Sequence, residues 1–186
     1  MKKKITRVKC VLLDAMIIIT AHQEGIWLPL TEAFEIIVPS IIARDEVFFY
    51  SEKEGSIPKE INLPDLTAKG KITELMATVD ELKNLSGFFD PVFIEGLHDG
   101  ESEALAILLS GRTKEAYFCS SDAKAIQALA MIGLSEQGVS FEELIKASGL
   151  TRPLPGQHYS ENYFKKMIKL GQANRITRTG MKKKEK

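Results

Sequence analysis

The sequence predicts an α/β protein, a three-layer α/β/α domain built around a central, mostly parallel twisted sheet. Two observations carry this expectation. Short β-branched-rich runs alternate with helical periodicity along the chain, the order that places helices on both faces of a parallel sheet. A unit of apolar strand, acid and helix also recurs three times, and in such sheets ligands bind beyond the carboxyl ends of the strands.

In chain order, residues 8–13 form a buried strand that stops at Asp14, and a helix follows over 15–23, closed by Gly25. "LPLTEAF" is a short helix and "EIIVP" a second strand ended by Pro39. Ser40 then caps a helix running through "IIARDEVFFYSEKE". Residues 55–70 are turn-rich, with brief alternation that suits a hairpin or surface excursion. In "KITELMATVDELKNL" the spacing of Ile72, Leu75, Met76, Val79, Leu82 and Leu85 predicts one face of a packing helix. The run "DGESEALAILLSG" starts a helix at Asp99 or Gly100 and stops it at Gly111. Its unbroken apolar stretch predicts burial on most sides. A strand over 116–119, a turn with Asp122 and a helix over 123–132 make the third unit. A last strand near Val139, a capped helix in "SFEELIKASG", a more exposed helix in "SENYFKKMIKLG" and a mobile basic tail past Gly171 complete the chain.

With 186 residues the chain suits one domain with an elaboration. Lys plus Arg and Asp plus Glu both number 25, so no overall field drives it onto nucleic acid. Charge is nonetheless segregated: "MKKKITR" and "RITRTGMKKKEK" are basic, and "DEVFFYSEKE" and "HDGESE" are acidic. Basic ends suit either a polyanionic partner or solvated termini. Cys10 and Cys119 lie in apolar segments, as in a reduced, cytoplasmic protein. His22, His98 and His158 are isolated and no C-x-x-C occurs, which disfavours zinc. No secretory signal and no membrane span are expected.

An acid inside "VLLDAMIII" asks for an explanation, because burying a charge costs several kcal/mol unless something neutralises it. Asp14 and Asp122 hold the same place in their units, and parallel neighbours would bring both to one sheet edge. Glu103 begins the all-apolar run of its helix, while Asp45 and Glu46 lie early in the segment after the second strand. Asp99 and Glu101 read as a cap and a first-turn charge, with Glu101 pointing outward. Four segments can thus bring carboxylates together. Such a cluster repels itself unless a cation sits within it, and oxygen-only ligands suit Mg²⁺ or Mn²⁺. The chemistry this points to is metal-assisted phosphodiester hydrolysis. Taken singly, each acid has a plainer role as a helix cap or dipole partner.

The segments "VLLDA", "VPSIIARDEV", "DGESEALAILL" and "FCSSDAKA" together resemble the PIN-domain nucleases, over roughly residues 8–149. The third segment carries most of the likeness, through its GE-x-E-A pattern. The resemblance implies a PIN-like nuclease domain over 1–150, with a C-terminal helical extension and basic tail over 151–186. Carried over by position, the family's acids fall on Asp14, Glu46, Glu103 and Asp122, with Asp14, Glu103 and Asp122 as metal ligands. Glu46 is preferred to Asp45 because it directly precedes "VFF". Ser120 matches a small hydroxyl residue that holds a metal-bound water or a carboxylate. The implied activity is an endoribonuclease acting on single-stranded RNA with Mg²⁺ or Mn²⁺. Many such relatives are toxins held by a small antitoxin protein, and many form homodimers. Residues 55–70 and the extension past Gly149 exceed the most compact toxins. Lys124, Arg44 and Arg112 read as solvated surface.

Two other readings stand beside this one. A non-catalytic PIN-like module would bind RNA or protein through its surface. A phosphoacceptor receiver domain would need a second acid beside Asp14 and a suitable lysine after the last strand, and the sequence offers neither.

Overall fold

A computed structural model describes residues 10–113 and 115–183. The first strand's expected start at Val8, the basic "MKKKITR" segment and the last three residues lie outside the described residues. Four parallel strands form the central sheet: β1 (Cys10–Leu13), β2 (Glu35–Pro39), β5 (Thr73–Leu75) and β6 (Ala116–Cys119), in the order β5-β2-β1-β6. The register sets Val11 beside Ile36 and Tyr117, and Leu12 beside Ile37 and Phe118. Side chains alternate between the sheet faces, and the core divides accordingly. Val11, Leu13, Ile36, Val38 and Cys119 pack on one side; Leu12, Ile37, Ala116 and Phe118 pack on the other. Both faces are buried, so the strands are apolar throughout.

The first face is covered by α1 (Ala15–Gln23), α2 (Trp27–Ala33), α3 (Leu63–Ala68) and α8 (Phe141–Ala147). The second is covered by α4 (Val79–Ser86), α6 (Asp99–Leu109), α7 (Ala123–Met131) and α9 (Glu161–Thr177). The short α5 (Pro91–Ile94) leads into α6. The three-layer α/β/α fold expected from the sequence is therefore present. No described helix is long and apolar enough to cross a membrane.

Four local expectations are corrected. The segment after Pro39 is not a long helix: it makes one π-helical turn, Ile42–Glu46, and then an antiparallel hairpin of β3 (Phe49–Tyr50) and β4 (Lys59–Glu60). The packing helix expected from Ile72 begins only at Val79, because Thr73–Leu75 pairs with β2 and a Thr78–Glu81 capping box starts the helix afresh. Met76 and Val79, expected on the buried face, are exposed. Near Val139 there is no strand of its own, only a parallel bridge between Phe118 and Gly138 and a hydrogen bond from the Val139 N–H to the Phe118 carbonyl. Finally, α9 runs past Gly171 to Thr177 and is docked rather than mobile. Gly171 lies against the Gln127 carbonyl, where a Cβ would come within 2.4 Å, and Phe164 and Met167 enter the second core.

Candidate active site

The carboxyl ends of the strands and the amino ends of α1, α6 and α7 meet at one edge of the sheet. Asp14 follows β1 directly, and its N–H donates to the Cys119 carbonyl at 3.1 Å, which extends the β1–β6 pairing by one residue. That bond sets Asp14 beside the Ser120–Asp122 turn. The Ser120 hydroxyl donates to Asp14 Oδ2 at 2.7 Å, and Oδ1 accepts from the Met16 N–H at 3.3 Å as the cap of α1. Ser120 Oγ also accepts from the Asp122 N–H at 3.0 Å, so one hydroxyl links the two acids. Asp122 caps α7 through the Lys124 and Ala125 N–H groups. The helix-cap roles and the convergence of the two acids hold together.

The π-helical turn separates Asp45 from Glu46. A π turn carries one more residue than an α turn, and it leaves Asp45 exposed while Glu46 turns inward. Glu46 Oε1 accepts from the Gly100 N–H at 3.0 Å, in the first turn of α6. Gly100 has to be glycine for this approach, since a Cβ there would stand 2.7 Å from Glu46 Oε2 and 2.4 Å from Ile42 Cγ1.

On α6 the structure reverses the expected roles of the two glutamates. Residues two apart on a helix point about 200° away from each other, so Glu101 and Glu103 cannot serve one place. Glu103 is buried and held by three donors: Oε1 accepts from the Ser40 hydroxyl at 2.8 Å and the Ala77 N–H at 3.0 Å, and Oε2 from the Ile41 N–H at 2.8 Å. It ties α6 to the ends of β2 and β5. Glu101, expected to point outward, is only 4% exposed, and it is the glutamate that feels Asp122 and Asp14. Its Oε2 accepts from the His98 N–H at 3.1 Å, and the His98 imidazole lies 3.7 Å away. Sequence reading missed Glu101 because apolar spacing marks α6 as buried all round without telling its two sides apart.

The electrostatics bind these acids into one group. Burial raises the Glu101 carboxyl to about 7, and the charges of Asp122 and Asp14 push in the same direction. Burial also raises Asp14, against the hydrogen bonds from Ser120 and Met16, and Asp122 adds to the rise. Glu46 is raised by burial and by Asp14, against the Gly100 hydrogen bond. Burial and then Asp122 raise the phenol of Tyr163, so α9 brings a tyrosine to the rim that no sequence signal had marked. Of the surface cations, Arg44 pairs with Glu74 at 2.5 Å, Arg112 with Glu81 at 3.0 Å, and Lys124 lies 5.3 Å from the centre of the Phe93 ring.

Among the described residues, no three His, Cys, Asp or Glu side chains stand close enough together to hold a metal ion as they are placed. The donor set nevertheless fits a hard divalent cation in its chemistry. It is made of carboxylate oxygens, one of them bonded by the Ser120 hydroxyl, and burial together with neighbouring acids raises Asp14, Glu46 and Glu101 toward their neutral forms.

Fold and site together define a parallel α/β domain with buried and half-buried carboxylates gathered at the carboxyl edge of its sheet. Comparison with family models, with curated proteins and with solved structures finds no match to this chain.

Proposed function

We propose that this chain is a metal-dependent endoribonuclease that hydrolyses phosphodiester bonds of single-stranded RNA, a toxin-type PIN-domain protein of the cytoplasm. One observation carries the reading: at the carboxyl edge of the sheet the Ser120 hydroxyl ties Asp14 to the turn of Asp122, and the charges of these two acids add to burial in raising the Glu101 carboxyl. The resemblance to PIN nucleases contributes the RNA substrate, and with it an antitoxin partner and a homodimer. Asp14, Glu101 and Asp122 would hold Mg²⁺ or Mn²⁺, with Glu46 beside them and Glu103 reassigned from ligand to support. When bound, such an ion supplies Lewis-acid stabilisation of charge at a phosphodiester. Ser120 orients Asp14 and the turn that carries Asp122. In the metal-free chain the Glu101 carboxyl is raised to about 7, so loading a cation there would release its proton near neutral pH.

The test is RNA cleavage in Mn²⁺ with unstructured and hairpin substrates. Wild type should cut the unstructured strand, and Asp14→Asn should lower the rate by roughly a hundredfold or more. Equal rates for the two chains would end the nuclease reading.

The lack of a ready three-ligand group favours a second reading, a non-catalytic module that binds RNA or protein. Such a module needs no Mn²⁺ at these acids, and calorimetry separates the two.

A further inference from the structure

At the far end of α7 from Asp122, a cavity of about 460 Å³ opens between the ends of α4, α7 and α9. Its lining includes Lys83, Arg175, Arg178, Lys182 and Lys183 around Phe88, and no acid. Among the described residues none of these five cations forms an ion pair with a carboxylate. Elsewhere on the surface Arg44 and Arg112 are paired in this way, while Lys124 lies over the Phe93 ring. Helix C-termini contribute roughly half a negative charge each, which leaves the five cations in excess.

The arrangement is held in place by the backbone. After α9 the chain turns through Arg178, the one described non-glycine residue with positive φ (63°), whose guanidinium donates to the Lys182 carbonyl at 2.9 Å. It is then fastened to the segment after α4 by an antiparallel bridge between Phe89 and Met181. The Gly180 carbonyl accepts from the Asp90 N–H, and the Lys182 N–H donates to the Phe88 carbonyl, both at 3.0 Å. This tie sets Lys182 and Lys183 opposite Lys83. The left-handed Arg178 is the C-cap of α9, and it shapes the rim of the cationic cavity.

We propose that this cavity binds phosphate groups of an RNA strand, as an exosite separate from the carboxylate pocket. The site lies one helix length, about 13 Å for the nine residues of α7, from Asp122. The choice of RNA rests on the nuclease reading; the anion preference rests on the cations themselves. The excess positive charge draws the strand, and Phe88 offers an aromatic surface inside the cavity for a base.

The experiment is fluorescence anisotropy of a labelled twelve-nucleotide oligouridylate with the full chain in EDTA, titrated across salt concentrations. Wild type should bind the oligonucleotide without metal. The triple variant Lys83→Glu, Arg175→Glu, Lys182→Glu should bind roughly tenfold weaker or worse, with a salt slope shallower by about 2, near 0.7 per lost phosphate contact. The gentler Lys83→Gln, Arg175→Gln, Lys182→Gln chain should fall between. Lys166→Glu, on the same helix but outside the cavity, should bind as wild type does. The proposal is overturned if the triple variant keeps wild-type affinity and slope, or if Lys166→Glu loses as much. It is also overturned if the chain binds phosphatidylglycerol vesicles and not the oligonucleotide. Because no metal is present, failure here leaves the cleavage result untouched, and a chain that binds but never cuts leaves the exosite standing.

Discussion

Replacing Glu101 by Gln should stabilise this protein in the absence of metal, and only above mildly acidic pH. The Glu101 carboxyl, ordinarily near 4.5, is pushed to about 7 by burial and by the charges of Asp122 and Asp14. The folded chain therefore holds this proton more tightly than the unfolded chain. Between pH 4.5 and 7 it binds more protons, so for this group stability falls as pH rises through that window. At about 1.4 kcal/mol per pH unit, the penalty at pH 8 is roughly 3 kcal/mol, against less than about 1 kcal/mol at pH 5. Glutamine removes the titration and keeps an oxygen to accept the His98 N–H. For a chain of this size, roughly 2–4 °C per kcal/mol, thermal melts in EDTA should place Glu101→Gln about 6–12 °C above wild type at pH 8. The two should nearly coincide at pH 5. A gap of equal size at both values, or a wild type more stable at pH 8, would refute the reasoning, because the buried charge would then carry no penalty.

The neighbouring glutamate should behave oppositely. Glu103→Ala removes three hydrogen bonds and strands the Ser40 hydroxyl and the Ile41 and Ala77 N–H groups, a loss of about 3 kcal/mol or more, readable as a lower urea midpoint at both pH 5 and pH 8. Gly100→Ala, which favours a helix elsewhere, should here lower stability and RNA cleavage together. Its Cβ would displace the Glu46 carboxylate, and an unchanged melt and cleavage rate would show that the close approach is unimportant.

How much was legible in the sequence follows from what periodicity can report. Asp14 and Asp122 stood out because each ends an apolar strand, and backbone pairing then carries both to one edge. The sheet and its covering helices followed from the alternation of periods. Three features escaped for physical reasons. Counting residues cannot reveal a π turn, so Asp45 and Glu46 could be separated only by family likeness until the turn itself was visible. The edge strand Thr73–Leu75 is too short to show its own period beside the helix at Val79, and the shared apolar spacing hid the break. Glu101 and Glu103 lie on a helix buried on both sides, and which side meets the pocket depends on the ends of β2 and β5, far away in sequence. Four of the five cavity cations were visible only as basic composition near the C-terminus and Lys83, on α4, was not marked at all, because the Phe89–Met181 bridge that gathers them is a tertiary contact.

The central claim is that Asp14, Glu101 and Asp122 form one charge-bearing pocket that a divalent cation completes, with Glu103 outside it. Calorimetric titration of Mn²⁺ at pH 7.5 tests this most directly, using wild type, Asp14→Asn, Glu101→Gln and Glu103→Gln. The account predicts a binding isotherm for wild type, its loss or at least tenfold weakening in Asp14→Asn and Glu101→Gln, and its retention in folded Glu103→Gln. Mn²⁺ binding that survives Glu101→Gln but disappears with Glu103→Gln would contradict it.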